Sequence, residues 1–172
     1  LNFQASLPVD ERTNGLQGIC FPYRDLETNA ETAWRIKPDT PFRMSGGKTA
    51  KYLSRMGDKV RAYFPHTTTI EDSQNVKINI IITEGEFKAL ALAERIVPIA
   101  SRKTCVIGLQ GVNGGWHREK ITVNLPDGGK EVKKIGHAHL IDDLESWEWS
   151  KGSTKRVVYI VFDSDVGSKS QA

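Results

Sequence analysis

The sequence lacks the features that mark several common classes of protein. Only two of its 172 residues are cysteines, and the spacing of Cys20 and Cys105 fits neither a disulfide framework nor a metal site. Both lie in apolar runs, which predicts buried free thiols in a reducing compartment. No apolar run approaches the roughly 18 residues that suggest a membrane span, and the N-terminus lacks the basic-then-apolar plan of a signal peptide. We therefore expect a cytoplasmic protein without a membrane partner.

Two familiar site motifs are present only in part. Residues 45–49, Ser-Gly-Gly-Lys-Thr, end like a phosphate-binding loop, but Phe42 occupies the position of its first glycine and no apolar strand precedes it. His137 and His139 alternate as ligands on a strand would, yet no cysteine or acid stands at zinc spacing beside them. These patterns favour neither a P-loop nor a zinc site.

Positive charge is concentrated in one tract, although the net charge of the chain is only +3. Residues 35–61 carry eight basic and two acidic side chains, whereas residues 62–172 carry fourteen of each. Such a tract attracts polyanions, and basic residues among aromatics can follow a phosphate backbone and stack on bases. The alternative is a solvated loop whose aromatic side chains pack on the domain. The residues concerned are Lys48, Lys51, Arg55, Lys59, Arg61, Tyr52, Tyr63 and Phe64.

Apolar periodicity predicts strands that alternate with helices, which implies a parallel sheet and an α/β fold. Core strands are expected at residues 76–82 and 104–109 and a further strand at 156–162, with one helix that ends before Pro98 and another at about residues 140–149. An antiparallel pair is expected at residues 18–25 and 32–37, and a β-hairpin at about residues 118–136.

Acidic side chains follow two of the predicted strands. Glu84 comes after the strand at 76–82, and Asp163 and Asp165 close the strand at 156–162. Ligands of open parallel sheets bind outside the carboxyl ends of the strands, so we expect these carboxylates to meet. Close carboxylates repel unless a cation is present, and the three acids therefore predict a Mg²⁺ or Mn²⁺ site for phosphoryl chemistry. The alternatives are a helix-dipole role for the glutamate and a polar turn for the aspartates.

Either Glu84 or Glu86 could serve as the glutamate ligand. Residues 83–86 match the capping box, in which Thr83 caps the helix and Glu86 reaches back to the amide of the cap residue. This interpretation assigns Glu86 to the start of the helix and leaves Glu84 as the catalytic candidate.

Three short motifs occur in order along the chain. They are Glu84-Gly85 after an apolar strand, the glycine turn Gly108-Leu109-Gln110-Gly111, and Phe162-Asp163-Ser164-Asp165. This series resembles the signatures of the Toprim domain of DnaG-type primases, topoisomerases and related nucleases. Upstream, Phe21-Pro22-Tyr23-Arg24-Asp25, Trp34-Arg35 and Lys51-Tyr52-Leu53-Ser54 resemble the basic subdomain that precedes Toprim in bacterial primases. The combination is most similar to Toprim-like domains in replication proteins of phages, plasmids and other mobile elements.

The resemblance implies a Toprim-like parallel-sheet core with helices on both faces, preceded by a small basic α+β subdomain. The corresponding domains are a lead-in at residues 1–17, a primase-like N-terminal subdomain at 18–75 and a Toprim-like domain at 76–172. The hairpin at about 118–136 is then an insertion, and we expect the fold to continue beyond the C-terminus.

The resemblance also implies a function, which is primase-like, Mg²⁺-dependent nucleotidyl transfer on a single-stranded DNA template. Glu84 would be catalytic and a metal ligand, with Asp163 and Asp165 as further metal ligands. The implied partners are single-stranded DNA, nucleoside triphosphates and a helicase domain or protein. Candidate contacts to nucleic acid or nucleotide are Arg24, Arg35, Lys48, Lys51, Arg55 and Lys88.

Lys88 departs from the family pattern, since bacterial primases usually have another acid at its position. Two alternatives to a primase therefore stay open. One is a Toprim nuclease that uses the same acids to cleave a phosphodiester. The other is a non-catalytic nucleic-acid-binding module, in which the ammonium of Lys88 replaces a metal ion electrostatically.

Overall fold

The computed structural model describes residues 16–44, 47–55, 57–126 and 128–163. It divides the chain into two compact units, Leu1–Lys59 and Val60–Ala172. Sequence reasoning places the boundary later, after residue 75. The difference arises because the chain after Val60 is hydrogen-bonded into the core of the second unit, as described below.

The first unit is built from short antiparallel strands. They are β1 (Gly18–Arg24), β2 (Glu31–Pro38), β3 (Phe42–Arg43), β4 (Thr49–Ala50) and β5 (Leu53–Ser54). The sheet order is β1-β2-β5, and the predicted antiparallel pair of β1 and β2 is confirmed. Strands β3 and β4 pair with each other, and this pairing is incompatible with the strand-loop-helix order of a P-loop. Among the described residues of this unit there is no helix, and the helix within the predicted subdomain at 18–75 is α1 (Ile70–Gln74), which lies in the second unit.

The second unit combines a small parallel sheet with short helices, in agreement with the α/β prediction. Its elements are α1 (Ile70–Gln74), β6 (Asn79–Glu84), α2 (Glu86–Arg95), a 3₁₀ turn (Val97–Ile99), β7 (Thr104–Leu109), β8 (Trp116–Asn124), β9 (Lys130–Leu140), α3 (Asp142–Glu145), β10 (Ser150–Lys151), β11 (Thr154–Lys155) and β12 (Val158–Val161). The parallel sheet has the order β12-β6-β7, with α2 packed on β6 and β7. Within the described ranges, no helix is long and apolar enough to cross a membrane.

The core of the second unit lies around β7. All six residues of β7 are buried, as a continuous apolar run predicts for a central strand. One edge of β7 pairs with β6, and at the other edge Tyr63 and Gly108 exchange backbone hydrogen bonds of 2.8 and 2.9 Å. The hydroxyl of Thr68 also donates to the carbonyl oxygen of Val106 at 3.0 Å. These bonds explain why the unit boundary precedes residue 60.

The helix expected at residues 140–149 is wrong. Leu140 ends β9, α3 is only four residues long, and the chain then forms the β10–β11 hairpin. This hairpin turns at Gly152, whose φ of 59° suits glycine. The β8–β9 hairpin exists where a hairpin was expected, but its strands extend from Trp116 to Leu140.

Both cysteines are free thiols, but they differ in exposure. Cys20 is half-buried, whereas Cys105 lies within β7 and is buried. Burial, together with the nearby charge of Asp72, raises the pKa of the Cys105 thiol to about 12. The thiol therefore stays protonated and unreactive at neutral pH.

A bend at Gly85 joins β6 to α2. Its φ of 80° and ψ of 157° fall in a region that side chains with a Cβ rarely adopt. The bend is fixed on both sides, because Gly85 N–H donates to Leu109 O at 2.7 Å and its carbonyl accepts from Ala89 N–H at 3.3 Å. Glycine here allows the strand to end and the helix to begin within one residue.

Arg156 anchors the entry to β12. Its side chain is buried, and its guanidinium donates to the carbonyl oxygens of Asp72 and Ser73 at 2.8 Å each and of Glu148 at 3.0 Å. Burial lowers the pKa of the guanidinium, which nevertheless stays charged at neutral pH. The Cζ atom of Arg156 lies 5.3 Å from the ring centre of Trp147, within cation–π range.

Replacing Gly85 with alanine should destabilise the protein by about 1–3 kcal/mol, the usual cost of a strained backbone conformation. A Cβ at this position meets no atom within 4 Å, so the effect is conformational and not steric. Urea denaturation followed by circular dichroism measures the change. A free energy of unfolding unchanged within about 0.5 kcal/mol would contradict the assigned bend.

Arg156→Lys should lower the free energy of unfolding by about 2–3 kcal/mol. An ammonium cannot reproduce the fork of three donors, and buried carbonyls would lose partners. The matched control is Arg95→Lys at the exposed end of α2, for which we expect a change within about 0.5 kcal/mol. Equal effects of the two substitutions in chemical denaturation would refute the anchoring role.

Candidate active site

The sheet brings two of the predicted acids to one edge. Strands β6 and β12 are neighbours and run parallel, with Val161 opposite Thr83. Glu84 is the last residue of β6, and Asp163 follows the end of β12 by two residues. Both carboxylates therefore lie at the carboxyl edge of the sheet, where ligands of parallel sheets bind.

Lys88 bridges the two carboxylates. Its Nζ lies 2.9 Å from Glu84 Oε1 and 2.5 Å from Asp163 Oδ1. Lys88 is in the first turn of α2, four residues after Glu84, so the helix directs its side chain back toward the strand end. The position that sequence reasoning singled out as atypical is thus the one that joins the two acids.

The cluster is accessible to solvent and ions. The side chains of Lys88, Glu84 and Asp163 are 40%, 22% and 53% exposed. Partial burial disfavours the charged ammonium, but hydrogen bonds and charges from Asp163 and Glu84 outweigh it and raise the pKa of Lys88 above its ordinary value. Lys88 is therefore a full positive charge at neutral pH, and it balances part of the charge of the two acids.

The third predicted ligand, Asp165, lies outside the described residues. Within residues 16–44, 47–55, 57–126 and 128–163, no three histidine, cysteine or acidic side chains come together as a metal-ligand group. The described part of the site thus consists of two carboxylates and one ammonium.

The predicted capping box is wrong. Thr83 belongs to β6 and is fully buried, and its hydroxyl donates to Val161 O at 2.8 Å, so it joins β6 to β12. Gly85 is the N-cap residue, and no side chain caps the helix there. Glu86 is 1% exposed and therefore does not reach out to the solvent edge. The preference for Glu84 over Glu86 as the site residue remains, because only Glu84 lies in the cluster.

The glycine turn of the second motif lets α2 approach the sheet. A Cβ on Gly108 would lie 3.0 Å from Ala89 Cβ and 3.1 Å from Gly85 O. A larger residue would push α2, and with it Lys88, away from β7. This turn therefore acts on the site through packing.

An apolar groove adjoins the cluster. It encloses about 300 Å³ between α2 and the end of β12. Five apolar residues line it together with the polar side chains of Thr83, Lys88, Arg95 and Asp163; the apolar ones are Ala91, Leu92, Ile96, Val161 and Phe162. The groove was not predicted from the sequence, because it is lined by residues of α2 and of the end of β12, which are far apart in the chain.

Comparison with known proteins adds one finding. Residues 72–172, more than half of the chain, match the family model described as Domain of unknown function (DUF3854). The chain belongs to this family. The match includes β6, α2, β7 and β12, and hence every described member of the cluster. No curated protein and no solved structure matches the chain.

The basic candidates of the first unit precede the DUF3854 segment. Arg24 Nη1 donates to Asn29 Oδ1 at 2.8 Å, and the guanidinium of Arg35 lies 4.3 Å from the ring centre of Tyr52. Arg35 and Tyr52 therefore form a cation–π pair within the first unit. Lys48, Lys51 and Arg55 are exposed.

Other members of the basic tract are structural. Tyr63 and Phe64 are buried in the second unit, where Phe64 stacks on Trp147 at 5.8 Å, so for these aromatics the packing alternative is correct. Arg61 pairs with Asp143 through Nε at 2.9 Å and Nη2 at 2.8 Å and thereby holds α3. The burial of these side chains could not be predicted, because polar and charged residues stand next to them in the sequence.

Glu84→Gln and Asp163→Asn should each lower the pKa of Lys88 toward its ordinary value of 10.5. Because the pKa is raised in the native state, the ion pairs stabilise that state below the unfolded pKa, and the contribution is lost as pH rises through the native pKa. NMR titration of the lysine Cε resonance measures the shift. Glu94→Gln, elsewhere on α2, is the control, and a Lys88 pKa unaffected by both test substitutions would refute the bridge.

Proposed function

We propose that the chain performs Mg²⁺-dependent phosphoryl transfer on nucleic acid, as a primase-like nucleotidyltransferase with a Toprim-like core that has helices on both faces. One observation carries the proposal. The carboxylates of Glu84 and Asp163, about 80 residues apart in sequence, meet at a single ammonium on the carboxyl edge of two adjacent parallel strands. The order of the three sequence motifs supports the same conclusion.

The donor set fits Mg²⁺ or Mn²⁺. Both ions take carboxylate oxygens, and Mg²⁺ is usually held by one or two carboxylates, several waters and substrate phosphates. Glu84 and Asp163 supply such a pair and are partly exposed, and Asp165 is a further proposed ligand. A bound Mg²⁺ would neutralise and orient the phosphates of a nucleoside triphosphate.

The chain's own residues would provide the remaining chemistry. In this proposal Glu84, which ends β6, accepts a proton from the attacking hydroxyl or completes the metal site. With a metal ion held by the carboxylates, Lys88 would instead donate to a phosphate oxygen within reach of its flexible stem. The same residues would suit a nuclease if water replaced the hydroxyl as nucleophile.

The partners follow from this chemistry. Single-stranded DNA and nucleoside triphosphates are the proposed substrates, and a helicase domain or protein is a proposed companion. In the first unit, Arg24, Arg35, Lys48, Lys51 and Arg55 are the proposed contacts to the phosphate backbone. The Arg35–Tyr52 pair is the proposed site of base stacking.

A second candidate function is non-catalytic binding of nucleic acid. The specific observation in its favour is that Lys88 already contacts both carboxylates. In this case the ammonium of Lys88 occupies the position between the carboxylates permanently, no metal ion binds there, and the two acids only hold the strand ends together. The two candidates differ in whether a divalent cation displaces Lys88.

Metal binding by wild type, Lys88→Gln and Asp163→Asn separates these candidates. Under the catalytic proposal, wild type binds Mn²⁺ in electron paramagnetic resonance titrations, Asp163→Asn loses the site, and Lys88→Gln binds about tenfold tighter, a difference of 1.4 kcal/mol. Glu94→Gln is the control for loss of an acid outside the cluster. Binding by Lys88→Gln but not by wild type would favour the non-catalytic module, and no binding by any variant would refute the metal site.

Primer synthesis provides the second readout. The chain is incubated with single-stranded DNA, labelled nucleotides and Mg²⁺, next to the Glu84→Gln variant. New labelled oligonucleotides that require Glu84 support nucleotidyl transfer. A shortened template supports the nuclease instead.

A further inference from the structure

A second polar site lies at the opposite edge of the parallel sheet. A cleft of about 460 Å³ opens where the strands begin, between the start of β6, the residues before β7 and strand β11. The strand β6 separates this edge from Glu84 by about 17 Å, at roughly 3.3 Å per residue. The cleft therefore shares no residue with the carboxylate cluster.

The lining of the cleft is strongly basic. Four cations line it, Lys77, Arg102, Lys103 and Lys155, and none of the lining residues is acidic. Lys103 is paired with the buried Asp72, with 2.5 Å between Nζ and Oδ1. The other three make no ion pair within the part of the chain that the structure describes. Together these cations would attract an anion into the cleft.

The lining also indicates the class of anion. No aromatic side chain lines the cleft, so it offers no surface for base stacking. Its volume is within the range of small-molecule sites and suits a compact ligand. Asn79 and the hydroxyl of Thr154 add neutral hydrogen-bonding groups beside the cations. Three or four cations around a compact space match an anion that carries several charges on phosphate groups.

We propose that this cleft binds a polyphosphate group, either free or as part of a nucleotide. The site is independent of the carboxylate cluster, and neither its presence nor its absence bears on metal binding there. Lys77, Arg102 and Lys155 contact the phosphate oxygens. Lys103 stays bound to Asp72 and contributes its charge to the rim.

Calorimetric titration of the 172-residue chain with sodium tripolyphosphate, without divalent metal, tests the site. The test variant is Lys77→Ala/Arg102→Ala, which removes two exposed cations and leaves the Lys103–Asp72 pair intact. The matched control is Lys133→Ala/Lys151→Ala, which removes two exposed cations outside the cleft. We expect the affinity to fall at least about tenfold in the test variant and less than about twofold in the control.

Three results would overturn the proposal. The first is that tripolyphosphate does not bind to wild type. The second is that the test and control variants lose affinity equally. The third is that a single-stranded oligonucleotide binds in the cleft while tripolyphosphate does not bind. A parallel titration with ATP identifies the source of the phosphate. Tighter binding of ATP than of tripolyphosphate would indicate a nucleotide, and equal or weaker binding would indicate free polyphosphate.

Discussion

The position of β12 depends on the buried guanidinium of Arg156. Its three hydrogen bonds tie the start of this strand to the carbonyls of residues 72, 73 and 148, which belong to segments far apart in sequence. From this anchor β12 runs parallel to β6, and the hydroxyl of Thr83 fixes its far end. Asp163 reaches Lys88 only because both ends of the strand are held.

Charge is distributed asymmetrically along the sheet. At the carboxyl edge two acids share one ammonium, whereas at the amino edge four cations line a cleft and one of them, Lys103, is paired with the buried Asp72. Under the proposals above, the first would bind phosphate through a metal ion and the second would bind it directly. In the DUF3854 segment, two polar clusters of opposite dominant charge thus lie at opposite ends of the same three strands.

The sequence allowed much of the sheet and part of the site to be predicted. Apolar runs identified β6, β7 and β12, although all four residues of β12 are exposed, unlike those of β7. The rule for parallel sheets placed Glu84 and Asp163 at one edge, where the structure has them. The capping box was wrong because the pairing of Thr83 with β12 outweighed a local helix signal. The helix expected at 140–149 is present only as the four residues of α3, because the chain then leaves the helical path and the N–H of Glu148 donates to Ser73 O instead. The basic cleft could not be predicted, since its cations are dispersed along the chain and only the sheet edge gathers them.

The separation of β6 and β12 in sequence affects how the protein folds. Pairing β6 with β7 closes a loop of about 20 residues that contains α2, whereas pairing β6 with β12 closes one of roughly 75 residues. Because the entropic cost of loop closure rises with length, the β6–α2–β7 unit should form first and β12 should dock last. A chain at the earlier stage would hold the Glu84–Lys88 pair without Asp163. The complete charge cluster would therefore arise only in the final step of folding.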